Sequence, residues 1–167
     1  MTDGPTGPRQ PGDPIGVFAV DDSPAFLRSV GFVVAATPGF ALVGTAAAGV
    51  DAVDALSKRS DVDLVLLDVN LPDLSGIEVA RRLDDAGRRE LVVLMSTTDP
   101  ADLPADAFER GVAGFLAKEQ LTTAWLRSVW DHTVRRQPAE TRGDPMTTSC
   151  AGRSRRCVRG GRRSTRK

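Results

Sequence analysis

Short apolar runs alternate along this chain with segments in which apolar residues recur at helical spacing. The runs contain almost no polar residues, which predicts strands buried on both faces, at 15–20, 40–45, 62–67, 91–95 and 112–116. The helical spacing predicts helices from Pro24 onward and at 50–58, 75–86, 101–110 and 121–134. Alternating strands and helices form βαβ units, so the sequence predicts an α/β fold with a doubly wound parallel sheet.

The two ends of the chain differ from its body in composition. Residues 1–14 hold four of the eleven prolines and three glycines, as a flexible leader does. Up to Arg135 there are 12 Lys and Arg against 20 Asp and Glu, whereas from Arg136 onward there are 10 against 2. We therefore expect a leader at 1–14, one folded domain at 15–134 and a disordered, Arg-rich tail at 135–167.

Several classes of protein are disfavoured by composition. No apolar run approaches the roughly 20 residues that span a bilayer, and the leader has no apolar core of a secretory signal, so we expect a cytoplasmic protein that does not enter a membrane. The only cysteines, Cys150 and Cys157, lie in the tail at a spacing that matches no zinc or redox motif.

The basic tail has two open interpretations. It is either an electrostatic arm that binds nucleic acid or an acidic partner, or a disordered end without a role of its own. It contains no aromatic residue on which a base could stack. The first interpretation makes the protein a nucleic-acid-binding transcriptional regulator, which we keep as the alternative function.

Polar side chains follow four of the predicted strands at the point where each strand ends. Asp21 and Asp22 follow the first strand, Asp68 the third, Ser96 the fourth, and Lys118 comes shortly after the fifth. Taken singly, each of these is a common capping, turn or surface residue. Because ligands of such sheets bind outside the carboxyl ends of the strands, their joint placement predicts a site at that edge.

The chemistry of this edge favours a divalent cation and phosphate. Three carboxylates packed together repel one another, and Mg²⁺, which prefers carboxylates, water and phosphate oxygens, relieves that repulsion. An ammonium group and a cation beside a free carboxylate suit phosphoryl transfer, in which negative charge spreads over the transferred oxygens. Asp68 would then be an acceptor that forms an aspartyl-phosphate.

The chain resembles the receiver domain of bacterial two-component response regulators in four segments, VDDSPAFLRSV, DLVLLDVNLPDLSGIEVARRL, VVLMSTTD and GVAGFLAK. The resemblance covers roughly residues 15–134 and implies a flavodoxin-like (βα)5 fold. It also implies a signalling protein rather than an enzyme. Such a protein accepts a phosphoryl group from a sensor histidine kinase or a phosphotransfer protein with Mg²⁺, and loses it slowly by itself.

The resemblance implies residue roles at the acidic edge. Asp68 matches the phosphoacceptor and joins the metal shell. Asp22 matches the direct Mg²⁺ ligand, Asp21 matches the acidic neighbour that acts through water, and Asn70 matches the position whose main-chain carbonyl binds the metal.

Three further residues match the phosphate-binding and switching positions of the family. Lys118 matches the lysine that holds the phosphoryl group, and Ser96 matches the hydroxyl that turns toward it. Phe115 matches an aromatic switch position, although a plain core position is an open alternative for it.

The segment FALVGTAAAGVDAVDAL resembles the LuxR/FixJ-type branch of these regulators, which carries a helix-turn-helix domain after the receiver. The residues after Val134 are too few and too polar for such a domain, so we expect a single-domain regulator that acts on a protein partner. The family's output surface is the fourth helix, fifth strand and fifth helix, where Trp130 is either a partner or dimer contact or a partly buried residue. A phosphorylation-dependent homodimer is a further option.

Two enzyme classes with related folds fit less well. A flavodoxin needs a phosphate-cradling loop after the first strand, and DDSPAF is not one. Dehalogenase-type phosphatases need a second aspartate two residues after the nucleophile, where this chain has Asn70. The cognate kinase and the output partner cannot be predicted from the sequence.

Overall fold

The computed structural model describes residues 12–97 and 111–136 of the chain. The strands are β1 Ile15–Val20, β2 Phe40–Ala46, β3 Leu64–Asp68, β4 Leu91–Ser96 and β5 Val112–Ala117. The α-helices in these ranges are α1 Pro24–Ala35, α2 Gly49–Ser57, α3 Gly76–Asp85 and α4 Thr123–Arg136. The predicted helix at 101–110 lies outside the described residues, as do residues 1–11 of the predicted leader and 137–167 of the predicted tail.

The five strands form one parallel sheet in the order β2-β1-β3-β4-β5. This confirms the predicted doubly wound α/β fold. The order reverses direction at β1, so β1 and β3 are neighbours, with Val20 beside Leu67. The carboxyl ends of β1 and β3 therefore lie next to each other, at the point where such sheets bind ligands.

The core lies on both faces of the sheet, as fully apolar strands require. On one face Phe18 and Leu67 pack with Leu56 of α2 and Val79 of α3. On the other face the strand residues pack against α1 and α4, through side chains such as Val17, Leu66, Val30, Val34 and Leu126. Successive residues of a strand thus serve opposite faces, and all of β3 is buried.

The last helix begins and ends later than predicted. Residues Lys118–Gln120 form a short 3-10 turn, and Leu121 has an extended backbone. The hydroxyl of Thr122 then accepts a hydrogen bond from the Trp125 N–H (3.1 Å), as an N-cap does, so the helix starts at Thr123. It continues to Arg136, so the first two residues of the predicted tail are helical.

Trp130 is partly buried and packs against the core. Its ring meets the Phe40 ring edge-on, with the centroids 6.3 Å apart and an interplanar angle of 81°. The Arg127 guanidinium lies 5.4 Å from the centroid of the same Phe40 ring. Of the two alternatives for Trp130, the structure favours the partly buried residue, because its ring joins α4 to the start of β2.

Within the described ranges, no helix is both long enough and apolar enough to cross a lipid bilayer.

Candidate functional site

Three charged side chains meet at the carboxyl edge of the sheet because three strands end there. Asp21 follows β1 directly, Asp68 is the last residue of β3, and Lys118 follows β5 directly. Asp21 is 0% exposed and Asp68 is 3% exposed. Burying a charge is costly unless it is paired, so these side chains need one another or a further partner.

Lys118 pairs with both buried carboxylates. Its Nζ lies 2.8 Å from Asp68 Oδ2, to which it donates a hydrogen bond, and 2.6 Å from Asp21 Oδ2. Asp21 Oδ2 is buried, and this ion pair with the ammonium is its charged contact. The ammonium also lies 4.9 Å from the centroid of the Phe26 ring in α1. Lys118 is thereby fixed between two carboxylates and an aromatic face.

Asp21, Asp22 and Asp68 form an acidic cluster in which one carboxylate oxygen from each lies within 4.8 Å of the others. Asp22 is the exposed member. Asp21 and Asp68 pair with the same ammonium, so among the described residues this cluster of three carboxylates carries an excess of negative charge. An oxygen-only set of this kind suits Mg²⁺, so the residues present fit the predicted ion.

Burial and ion pairing have opposite effects on the pKa of Asp68, and also on the pKa of Lys118. Burial raises the pKa of the Asp68 carboxyl above its usual range, against the hydrogen bonds that it accepts from Lys118 and from the Asn70 N–H. For Lys118, burial acts to lower the pKa, but Asp21 and Asp68 outweigh burial and raise it. The lysine is thus held as an ammonium ion beside a carboxylate whose charge is costly.

The loop after Asp68 contacts the Asp68 carboxylate through a backbone N–H group. The Asn70 N–H donates to Asp68 Oδ1 at 3.2 Å, and Asn70 itself is exposed. The structure therefore brings Asn70 to the cluster, whereas the predicted role of its carbonyl stays a prediction.

The two predicted switch residues lie on neighbouring strands. Ser96 is the last residue of β4, is fully buried and pairs with Ala117 of β5. Phe115 is half-buried and packs against the core cluster on the α2 and α3 face. Their position is compatible with both the switch and the core interpretation, and their switching roles stay predictions.

Sequence reasoning missed two residues of this loop. Asp73 accepts hydrogen bonds from two backbone N–H groups at the start of α2. Gly76 lies so close to the end of β3 that a Cβ there would be 2.1 Å from the Asp68 carbonyl oxygen. Asp73 gives no local signal, because its partners are 23 and 24 residues away. Gly76 was detectable as a glycine in the first helical position after Ser75, where a side chain would normally fit.

Residues 17–128 match the response regulator receiver domain. The chain belongs to the response regulator receiver family. Members of this family are phosphoacceptor signalling modules rather than classical enzymes, and this holds for the present chain as a receiver.

Two similar proteins are the nitrate/nitrite response regulators NarP and NarL of Escherichia coli. NarP is 30% identical over 116 residues, which are 70% of this chain and 54% of NarP. NarL is 28% identical over 107 residues, which are 64% of this chain and 49% of NarL. The chain thus spans about half the length of these relatives, and the matched part is the receiver.

Solved structures show the same fold. The receiver domain of a putative response regulator NarL from Mycobacterium tuberculosis has a TM-score of 0.66 and 27% identity, and the match covers 74% of this chain and 99% of that one. A CheX-CheY complex with BeF3 and Mg²⁺ from Borrelia burgdorferi also has a TM-score of 0.66, with 25% identity, over 74% of this chain and 91% of that one. The family and fold that the sequence predicts are confirmed.

Proposed function

We propose that this receiver accepts a phosphoryl group on Asp68, from a histidine kinase or a phosphotransfer protein, with Mg²⁺ bound by Asp21, Asp22, Asp68 and the Asn70 main-chain carbonyl. The observation that carries the proposal is the pairing of Asp68 with the Lys118 ammonium at 2.8 Å inside a cluster of three carboxylates. In this proposal Asp68 is the acceptor, Lys118 is the anchor for phosphate and the three carboxylates form the cation site, all at one edge of the sheet.

In the proposed reaction a carboxylate oxygen of Asp68 forms a bond to phosphorus while the bond from phosphorus to the donor breaks. The donor leaves with the electron pair of that bond, and a histidine donor takes up a proton from solvent. Lys118, already fixed beside Asp68 and Asp21, faces the negative charge that develops on the transferred oxygens without reorganising. Mg²⁺ held by the acidic cluster would neutralise part of the negative charge on the transferred oxygens.

The proposed output is a shift between two conformations of the β4 and β5 region. Ser96 is the last residue of β4. The neighbouring strand β5 contains Phe115 and is followed directly by Lys118, so a group bound at Asp68 would lie near the ends of both strands. A phosphoryl group that contacts Ser96 and Lys118 in one conformation only would shift the equilibrium. We infer that the receiver signals in this way by contact with a protein partner.

The test is incubation of the full chain with Mg²⁺ and a small acyl-phosphate donor, followed by intact mass. We expect one added phosphoryl group on the wild type, and none on Asp68→Asn or in the presence of a chelator. Asp63→Asn is the matched control, because Asp63 lies just before β3 at the opposite edge of the sheet. Modification of Asp68→Asn to the wild-type extent would contradict the proposal.

A further inference from the structure

Helix α2 is capped by a residue of the acceptor loop. Asp73 Oδ1 accepts from the Gly49 N–H at 2.8 Å, and Asp73 Oδ2 accepts from the Val50 N–H at 2.9 Å. The residue that precedes α2 is Ala48, whose side chain makes no capping hydrogen bond. Backbone N–H groups in the first turn of a helix lack partners within the helix. The loop that follows the acceptor therefore supplies them.

Close packing accompanies these two hydrogen bonds. A Cβ on Gly49 would lie 2.8 Å from both the carbonyl oxygen and the Cβ of Leu74, so the start of α2 is pressed against the loop. Because the N–H groups of Val50 and Gly49 donate to this carboxylate, they hold the pKa of Asp73 below its usual range. The tip of the loop is thus fixed to α2.

The base of the same loop is fixed to the sheet. The Gly76 N–H donates to the Val69 carbonyl at 3.0 Å, and the Val69 N–H donates to the Met95 carbonyl at 2.9 Å. Asn70 lies between this base and the tip at Asp73, and its N–H donates to Asp68 Oδ1. Asn70 therefore lies between two attached points of the loop while its N–H contacts the acceptor carboxylate.

We propose that Asp73 is a positioning residue of the acceptor site, which holds Asn70 against Asp68 by tying the loop to helix α2. Asp73 is outside the acidic cluster, whose members are Asp21, Asp22 and Asp68. Its consequence for phosphoryl transfer rests on the proposed function, whereas its consequence for the position of Asn70 does not.

A helix cap without a positioning role would affect only stability. Asp63 offers a matched comparison, because its Oδ2 accepts from the Gly16 N–H at 2.7 Å, a bond between two distant parts of the chain at the opposite edge of the sheet. Asp63→Ala removes a carboxylate–amide bond of the same chemistry, far from the acceptor. Asp73→Asn keeps one acceptor oxygen and loses the other, and so is the conservative variant.

The experiment compares wild type, Asp73→Ala, Asp73→Asn and Asp63→Ala by three readouts at a temperature where all are folded. Amide hydrogen exchange of Asn70 and Gly76 is measured without metal, Mg²⁺ affinity by calorimetry, and the rate of phosphorylation with the acyl-phosphate donor. For Asp73→Ala we expect faster exchange at both amides and about tenfold weaker Mg²⁺ binding, as for residues that orient metal ligands, with a slower rate at fixed Mg²⁺. Asp73→Asn should be intermediate and Asp63→Ala close to wild type.

Unchanged exchange and Mg²⁺ affinity in Asp73→Ala would overturn the inference, and so would equal changes in Asp63→Ala, because a general loss of stability would then explain both. If the wild type takes up no phosphoryl group, the proposed function fails. The hydrogen exchange of Asn70 still decides whether Asp73 positions the loop.

Discussion

The strands of the sheet begin at one edge, the amino edge, and end at the other, the carboxyl edge. Both edges hold charged groups near the core, but they balance charge differently. At the amino edge, Arg59 binds Asp61 through two hydrogen bonds of 2.9 and 2.6 Å, and Arg88 pairs with Glu90. Asp61 and Glu90 each have a guanidinium of their own there. At the carboxyl edge, in the part of the chain that the structure describes, Asp21 and Asp68 both pair with the ammonium of Lys118, and Asp22 lies in the same cluster.

At the amino edge the paired residues carry opposite charges, as structural ion pairs do. At the carboxyl edge, the three carboxylates of the acidic cluster lie with one ammonium among the described residues, so negative charge is in excess. A surplus of one sign is costly in a folded protein unless something else neutralises it, so it marks the carboxyl edge as the functional one.

Replacing the shared ammonium is the strongest test of this contrast. Lys118→Met removes the only cation that faces Asp68 in the described residues, and we expect the phosphorylation rate to fall about 10²–10³-fold, as when one preorganised charge-stabilising group is lost. Lys58→Met is the control, because Lys58 forms an exposed pair with Asp54 four residues away. A rate within twofold of wild type for Lys118→Met would show that the shared ammonium has no role in transfer.

The next prediction concerns the backbone that carries Asp68. Gly76→Ala would place a methyl group 2.1 Å from the Asp68 carbonyl oxygen, so either α3 or the end of β3 must move. We expect a loss of about 3 kcal/mol in the free energy of unfolding, measured by denaturant titration, and slower phosphorylation. Gly114→Ala is the control, because a Cβ there meets nothing within 4 Å. Equal stability of the two variants would contradict the close approach.

The amino edge should show the opposite behaviour, with a loss of stability and no loss of function. Arg88→Met leaves the Glu90 side chain, which is 5% exposed, without its ion pair. We expect a loss of about 1–3 kcal/mol, the cost of an unsatisfied buried group, and an unchanged phosphorylation rate for the folded fraction. Arg82→Met, which breaks an exposed pair with Glu78, should cost less than about 1 kcal/mol. A slower phosphorylation rate in folded Arg88→Met would contradict the prediction that the amino edge affects stability alone.

The elements of the carboxyl edge were predictable because their signals are local. A fully apolar run that ends in a carboxylate predicts a buried strand with a functional end, and β3 has that form with Asp68 as its last residue. The parallel sheet then brings the ends of β1, β3 and β5 together by topology alone. The sequence pattern placed the start of α1 correctly and both ends of α2 and α3 within one residue.

What could not be predicted depends on partners that are distant in the sequence. The bonds from Asp73 to α2 span 23 and 24 residues, and an exposed aspartate in a loop is common. The start of α4 was placed two residues early because Leu121 fits the apolar spacing, whereas the Thr122 cap decides the actual boundary. Trp130 was ambiguous because its partner, Phe40, lies ninety residues before it.

The smallest expected effect concerns the cost of keeping the acceptor charged without metal. Burial raises the pKa of Asp68 in the folded protein, so the folded state binds its proton more tightly than the unfolded state does. The ionised carboxylate therefore lowers stability as the pH rises through the unfolded pKa, about 3.9, and the full penalty is present once the pH exceeds the folded pKa. Asp68→Asn lacks this penalty.

In a chelator, Asp68→Asn should thus melt slightly above wild type at neutral pH, and the difference should vanish below about pH 3, where the carboxyl is protonated in both states. Thermal unfolding followed by circular dichroism across this pH range measures it. Asp22→Asn neutralises an exposed member of the same cluster and should change the melting temperature less. A lower melting temperature for Asp68→Asn at neutral pH would mean that the ion pair with Lys118 outweighs burial. The carboxyl edge would then be balanced like the amino edge, and the contrast between them would lose its physical basis.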